Sequence, residues 1–194
     1  MRDLSGSISD YPSLFAQAFT HLQPSGYIEL QSLEASIHSS PSSFFPFSSS
    51  SSTQCLPTAL RWLSLLASAH TKSSRPLHPE AGWKSQLQAA GFIDVVEEKY
   101  SVPLTAPWSS SSSSSPPAQD ENLATSGGAG ELGRYMQANM HEAVEAMTLA
   151  PFTRVLGWER DEVDVLVEAV RNDLSCEQGG LWMWVWVVYG RKPA

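Results

Sequence analysis

The sequence is short of cysteine, of long apolar runs and of an apolar leader, and each shortage excludes a class of protein. Cys55 and Cys176 are too few for a disulfide framework or a zinc site, which favours two reduced thiols in an intracellular protein. The longest apolar run, residues 181–189, is shorter than the ~20 residues that a membrane-spanning helix needs. Residues 1–15 have no apolar targeting core. We therefore expect a soluble cytoplasmic or nuclear protein that is not secreted and holds no metal.

Charge is also scarce, and what there is has an acidic excess. Charged residues make up 16% of the chain, against about 25% in a typical domain, and serine takes much of their place. The net charge is −8, which opposes contact with phosphates. This balance predicts neither a nucleic-acid partner nor a membrane partner. The length of 194 residues is enough for one domain with a buried core.

Two serine-rich segments interrupt the chain, at residues 36–53 and 109–128. Their low complexity gives them too little apolar area to offset the entropy lost on ordering, which predicts flexible inserts in a single domain of residues 1–194. Outside these segments, apolar periodicity predicts an α/β protein. Helices are predicted at 10–22, 56–70, 79–90, 131–149 and 161–174, a short helical turn at 151–156, and strands at 27–30, 92–102 and 181–189.

The last predicted strand is apolar on both faces. Trp182, Trp184 and Trp186 on one face alternate with Met183, Val185 and Val187 on the other. Two apolar faces are typical of a strand in the middle of a sheet. A stacking platform for bases or sugars remains an alternative for the tryptophans, although the negative net charge weighs against it.

Gly128, Gly130 and Gly133 have the G-x-G-x-x-G spacing of a nucleotide-binding loop. Such a loop follows a strand, whereas the preceding residues 116–122 are proline-rich and polar. The glycines therefore do not predict a phosphate site. We expect Gly128 and Gly130 to end the second insert, before a helix that starts near Glu131.

Three blocks of sequence occur in an order that resembles a known family. They are residues 2–11 with 22–30 (RDLSGSISDY and LQPSGYIEL), residues 87–95 (LQAAGFIDV), and residues 156–171 with the ending 188–193 (VYGRKP). These blocks resemble the fungal S-adenosylmethionine-dependent methyltransferases related to the velvet-complex regulator of secondary metabolism. Two positions depart from the family pattern: Tyr11 stands in place of tryptophan, and Ser25 in place of glycine.

The resemblance implies a partial class I methyltransferase fold, which is Rossmann-like. The three predicted strands would be strands five to seven, with the last one antiparallel and inserted between the other two. Strands one to four, with the glycine-rich cofactor loop, would lie before the point that corresponds to Met1. The chain alone is then expected not to bind S-adenosylmethionine. The open sheet edge would recruit a protein partner.

The same resemblance suggests site residues. Arg2 corresponds to a position beside the cofactor and Glu29 to the mouth of the pocket, while His141 and Glu142 lie on the helix that would cover a small-molecule substrate. Each also has a structural interpretation, as a solvated or capping group. The predicted function is a methyltransferase-like protein of fungal secondary-metabolite biosynthesis that lacks its own cofactor loop and is active only with a partner or in a longer product. A non-catalytic accessory protein that binds a pathway enzyme or intermediate, and a mere fragment, are the alternatives.

Overall fold

A computed structural model describes residues 1–39, 56–104, 128–175 and 181–194. Within these ranges the chain contains both helices and strands, with one π-helical turn at Phe152–Leu156. The helices are α1 (Tyr11–His21), α2 (Pro57–Lys72), α3 (Glu80–Ala89), α4 (Gly128–Pro151) and α5 (Arg160–Leu174). The strands are β1 (Tyr27–Leu33), β2 (His38–Ser39), β3 (Ile93–Pro103) and β4 (Leu181–Arg191). The mixed α/β class and all three predicted strands are confirmed.

The chain divides into two compact units, where the sequence predicts one domain. The first unit comprises Met1–Ala35, Ser73–Tyr100 and Trp184–Ala194, and the second comprises Ser36–Lys72 and Ser101–Met183. Strands β3 and β4 each run through the boundary, so both units contain a part of them.

The first unit is built on β4. This strand pairs antiparallel with β1, from Tyr27 opposite Arg191 to Leu33 opposite Val185, and it also pairs with β3. Because a strand has two edges and β1 takes one of them, β4 lies between β1 and β3. Helices α1 and α3 cover one face, where a buried apolar cluster forms from Tyr11, Phe15, Ile28, Leu30, Trp83, Leu87, Phe92 and Val188.

Local signals explain the ends of the first unit's helices. The side chain of Asp10 accepts a hydrogen bond from Ser13 N at 2.9 Å, which caps α1, and Pro12 occupies its first turn. At the end of α3, Gly91 has the left-handed φ of +103° that its sequence position predicts.

The second unit is mainly helical. All five apolar residues predicted for the buried face of α5 are buried: Val163, Leu166, Val167, Val170 and Leu174. Helix α5 packs against α2 and α4. The carboxylate of Asp173, near the end of α5, accepts hydrogen bonds from Thr58 N at 2.8 Å and Ala59 N at 2.9 Å, so it caps the start of α2.

The glycine motif lies inside a helix. Helix α4 begins at Gly128, so Gly128 and Gly130 are helical, and the expectation that they end a flexible insert is wrong. Gly133 is buried on the same helix. Helical glycines do not form the open turn that a nucleotide loop requires, which agrees with the rejection of a phosphate site.

The remaining predictions for the inserts fall mostly outside the described residues. Residues 40–53 and 109–127 are not among them. His38 and Ser39, which the sequence assigns to the first insert, instead form β2 and pair antiparallel with Trp182 and Leu181 of β4.

The tryptophan strand lies in the middle of the sheet, as predicted. No residue from Leu181 to Arg191 is exposed: Leu181, Met183, Trp186, Val188 and Gly190 are buried, and the others are half-buried. The ring of Trp182 stacks on His38 with centroids 4.4 Å apart. Protein groups therefore already contact this ring, which disfavours the alternative of a stacking platform.

Candidate functional site at the carboxyl end of β1

The amino-terminal residues pair with β1 in the parallel sense. Arg2 forms a parallel bridge with Gln31. Asp3 N donates to Gln31 O at 2.8 Å, and Gln31 N donates to Met1 O at 3.0 Å. Since β4 occupies one edge of β1, residues 1–3 occupy the other. The expected open edge of this strand is therefore covered opposite Gln31, and the outward-facing backbone there is that of Arg2.

A parallel pair brings two carboxyl ends to the same end of a sheet. Residues 4–8 follow the first segment and residues 34–37 follow β1, so both loops leave from that end. In open α/β sheets, ligands bind in the crevice outside the carboxyl ends of parallel strands. This end of the first unit is therefore the candidate site.

A buried polar cluster of Ser5, Ser32 and Glu80 lies at this end. The carboxylate of Glu80, the first residue of α3, is 1% exposed, and Ser32 is 2% exposed. Ser32 Oγ donates to Glu80 Oε1 at 3.0 Å, Ser5 Oγ donates to the same oxygen, and the two hydroxyl oxygens are 2.9 Å apart. Three separate segments thus converge on one carboxylate oxygen.

Tyr11 adjoins this cluster. Its hydroxyl donates to the carbonyl oxygen of Leu4 at 2.9 Å. Burial and, to a smaller extent, the negative charge of Glu80 together raise the pKa of Tyr11 to about 12. The phenol therefore stays protonated at physiological pH and acts here as a donor, not as a base.

A second set of side chains surrounds Trp186 on β4. Its indole Nε1 donates to Glu34 Oε2 at 2.7 Å, and the Lys99 ammonium lies 3.4 Å from the ring centroid. Trp186 is 6% exposed, and the ammonium lies over the ring face, where a cation is attracted to the aromatic ring. This arrangement fixes the indole rather than leaving it open to a ligand.

The structure brings the two predicted cofactor-site residues, Arg2 and Glu29, together through Gln31. The Arg2 guanidinium donates to Gln31 Oε1 from Nε at 3.1 Å and from a terminal nitrogen at 2.7 Å. Gln31 Nε2 in turn donates to Glu29 Oε1 at 2.5 Å. Arg2 and Glu29 are exposed, so the three residues form a polar row on the surface of the sheet. Their role in cofactor binding stays a prediction.

The two predicted catalytic candidates, His141 and Glu142, lie in the second unit on α4. His141 Nε2 is 3.0 Å from Ser175 Oγ, and its backbone oxygen accepts from Arg171 Nε at 3.0 Å. These contacts attach α4 to the end of α5. Glu142 is exposed, and neighbouring residues of a helix do not face each other, so the two do not form an acid–base pair. Their catalytic role also stays a prediction.

Sequence reasoning missed Ser5, Ser32 and Glu80. An acid directly after Pro79 at the start of a helix is an ordinary sequence feature, because it complements the helix dipole on any solvated surface. Only the near-complete burial of Glu80 distinguishes it, and burial depends on the packing of three distant segments. No local pattern in the sequence predicts that packing.

Neither a metal site nor a membrane-spanning helix is found in the described ranges. No group of three or more His, Cys, Asp or Glu residues there has the arrangement of a metal site. No helix in those ranges combines the length and hydropathy needed to cross a membrane.

Curated fungal proteins are similar to this chain over most of its length. The chain is 32% identical to "Methyltransferase pytC" of Aspergillus terreus over 178 residues, which are 89% of this chain and 47% of pytC. It is 32% identical to "Probable methyltransferase tdiE" of Emericella nidulans over 187 residues, 95% of this chain and 50% of tdiE. It is 30% identical to "Secondary metabolism regulator LAE1" of Cochliobolus heterostrophus over 176 residues, 90% of this chain and 49% of that protein.

These similarities confirm the resemblance that the sequence blocks indicated, to fungal methyltransferases and regulators of secondary metabolism. The chain spans about half the length of the curated relatives it matches. No family model matches the chain. Among solved structures, a phosphoethanolamine N-methyltransferase of Haemonchus contortus with bound S-adenosylhomocysteine matches 100% of this chain and 32% of its own, with 15% identity and a TM-score of 0.40, which is too low to assign a fold.

Proposed function

We propose that this chain supplies the carboxyl-terminal part of an S-adenosylmethionine-dependent methyltransferase of fungal secondary metabolism. The observation that carries the proposal is the strand arrangement of the first unit. Residues 1–3 pair parallel with β1, and β4 runs antiparallel to β1 and lies between β1 and β3. This is the arrangement expected for the end of strand four and for strands five, seven and six of a class I methyltransferase. The similarity to pytC and tdiE supports the same assignment.

The described side chains do not by themselves fit a nucleoside cofactor. At the carboxyl end of β1, the hydroxyls of Ser5 and Ser32 donate to Glu80, and Glu34 accepts from the indole of Trp186. Gly128 and Gly130 could bring backbone amides close to a ligand only from an open loop, and both are part of a helix. We therefore propose that a further segment, in the same protein or in a partner, supplies the cofactor cradle, and that this chain closes one side of the site.

The second candidate function is that of a non-catalytic regulator that binds another protein. Similarity to a protein named as a secondary metabolism regulator favours it. The sheet of the first unit also has exposed large side chains: Tyr27 at 63%, Val96 at 37% and Tyr100 at 38%. The contact of Tyr189 with Glu98, two residues from both Val96 and Tyr100, indicates that these side chains share one face with Tyr27. A protein partner that covers this face would bury them.

Calorimetric titration with S-adenosylhomocysteine tests the first candidate. The protein would be titrated as the 194-residue chain and as a fusion that places the part of pytC outside the matched region ahead of it. We expect no saturable binding by the chain alone and one-site binding in the micromolar range by the fusion. The pytC part alone is the control, and circular dichroism verifies that each protein is folded.

The results separate the claims. One-site binding by the chain alone would contradict the need for a further segment. A folded fusion that binds no S-adenosylhomocysteine would contradict the methyltransferase assignment.

For the second candidate, a biosynthetic enzyme should co-purify with the wild type but not with Tyr27→Glu. Tyr135→Glu serves as the control because Tyr135 is similarly exposed, at 67%, in the other unit. Equal loss with both variants would argue against a specific face.

A further inference from the structure

Glu80 is a buried carboxylate, and the functions considered so far give it no role. A carboxylate that is 1% exposed is costly unless hydrogen bonds compensate for the lost water. Here the compensation comes from the hydroxyls of Ser5 and Ser32, and from the position of Glu80 at the start of α3, where the helix dipole favours a negative charge. A helix start by itself needs no buried acid, so the two hydroxyl contacts call for an explanation.

The segment that contains Ser5 is held at several other points. Asp3 has a left-handed φ of 50°, although it is not a glycine, and Gly6 has a φ of 71°. Gly6 N donates to Pro76 O at 2.9 Å, and the backbone oxygen of Leu4 accepts from Tyr11. The backbone therefore turns sharply on both sides of Ser5. A non-glycine residue in this conformation persists only where its surroundings hold it.

Ser5 and Ser32 mark the two places where the chain leaves the parallel pair. Ser5 lies two residues after Asp3, whose amide bonds to Gln31, and Ser32 is the next-to-last residue of β1. A single oxygen of Glu80 accepts from both. The carboxylate therefore fixes the start of one loop relative to the end of the neighbouring strand.

We propose that Glu80 is a positioning residue that holds residues 4–8 against the carboxyl end of β1, in the geometry needed to close one side of a nucleoside-binding crevice. The ligand in this inference rests on the proposed function. The positioning itself rests only on the contacts of Ser5, Ser32 and Glu80.

Amide hydrogen exchange of the 194-residue chain tests the positioning. Glu80→Gln keeps the size of the side chain but removes the charge that strengthens both hydrogen bonds. We expect exchange in residues 2–8 and 31–34 to accelerate on the order of tenfold, with α1 and the rest of β1 unchanged. Ser5→Ala should reproduce the effect in residues 2–8. Asp161→Asn, which alters an exposed acid in the first turn of α5, is the matched control and should change neither region.

Two exchange results would overturn the positioning role. Unchanged exchange in residues 2–8 of Glu80→Gln would mean that the carboxylate does not hold the loop. Equal acceleration in α1, α3 and β1 would mean that Glu80 contributes only to the general stability of the unit.

The ligand part is tested in the fusion described above. Glu80→Gln should weaken S-adenosylhomocysteine binding about tenfold without a matching fall in the thermal midpoint, whereas Asp161→Asn should leave the affinity unchanged. An unaltered affinity would overturn the link to the ligand. Failure of the wild-type fusion to bind would refute the proposed function together with this link, while the exchange data would still decide the positioning role.

Discussion

Replacing Gly91 with alanine should be more destabilising than replacing another left-handed glycine, because two costs add at this position. Gly91 follows α3 with a φ of +103°. A Cβ atom added there would lie 3.0 Å from Cζ and 3.1 Å from Cε2 of Phe19. That ring packs edge-on against Phe92, with centroids 5.1 Å apart, which restricts how far it can move.

The size of the effect follows from these two costs. A left-handed backbone costs an alanine about 1–2 kcal/mol. Crowding a packed ring adds about 1–3 kcal/mol. We therefore expect Gly91→Ala to lower the free energy of unfolding by about 2–5 kcal/mol, a large part of the ~5–15 kcal/mol typical of a domain.

Two other glycines separate the costs. Gly157 has a φ of +76°, but an added Cβ would meet nothing within 4 Å, so Gly157→Ala should cost only the backbone strain of about 1–2 kcal/mol. Gly130 lies in α4 with open space around it, so Gly130→Ala should stabilise the protein by roughly 0.5 kcal/mol.

Denaturation in urea, followed by circular dichroism and tryptophan fluorescence, gives the measurement. The slope with denaturant should stay constant if only stability changes. Where the two units give separate transitions, each substitution should shift the transition of its own unit. Equal effects of Gly91→Ala and Gly157→Ala would refute the steric contribution of Phe19. Destabilisation by Gly130→Ala would refute the helical start of α4 at Gly128.

Two buried hydroxyl groups lead to the remaining predictions. Thr148→Val should lower the free energy of unfolding by about 1–3 kcal/mol, because Thr148 Oγ1 accepts the indole N–H of Trp62 at 2.8 Å and both residues are fully buried; an unchanged urea midpoint would contradict that bond. Tyr11→Phe tests the raised pKa of Tyr11, which is about 12 against 10.0 for an ordinary tyrosine. Because the folded state holds this proton more tightly than the unfolded state, the shift contributes to the free energy of unfolding. That contribution is complete below pH 10 and is lost as the pH rises towards 12. The wild type should therefore lose stability more steeply than the variant across that window, and equal slopes would contradict the shift.

Periodic apolar residues made much of the fold predictable from sequence. The spacing from Val163 to Leu174 identifies the buried face of α5, and all of its predicted members are buried. The run from Leu181 to Tyr189 is apolar at odd and even positions alike, which is why a central strand was expected there. In both elements the apolar pattern lies within one segment of the sequence, so the buried residues can be predicted from that segment alone.

Features that depend on distant partners could not be predicted. The sequence around His38 resembles a serine-rich insert, and only its pairing with Trp182 turns it into a strand. Gly128 and Gly130 are poor helix formers, yet α4 begins with them. In the candidate site, Arg2 and Glu29 were proposed from a resemblance, whereas the contacts of Glu80 depend on three segments that meet only in the folded chain.

The cap of α2 shows what such long-range contacts mean for the evolution of the chain. Asp173 and Thr58 are 115 residues apart in sequence, and the bond between them depends only on the packing of α2 with α5. Residues can be gained or lost between these two positions without removing either partner. The length of the second serine-rich segment, which lies between these positions, can therefore change without removing this cap, provided that selection retains an aspartate near the end of α5.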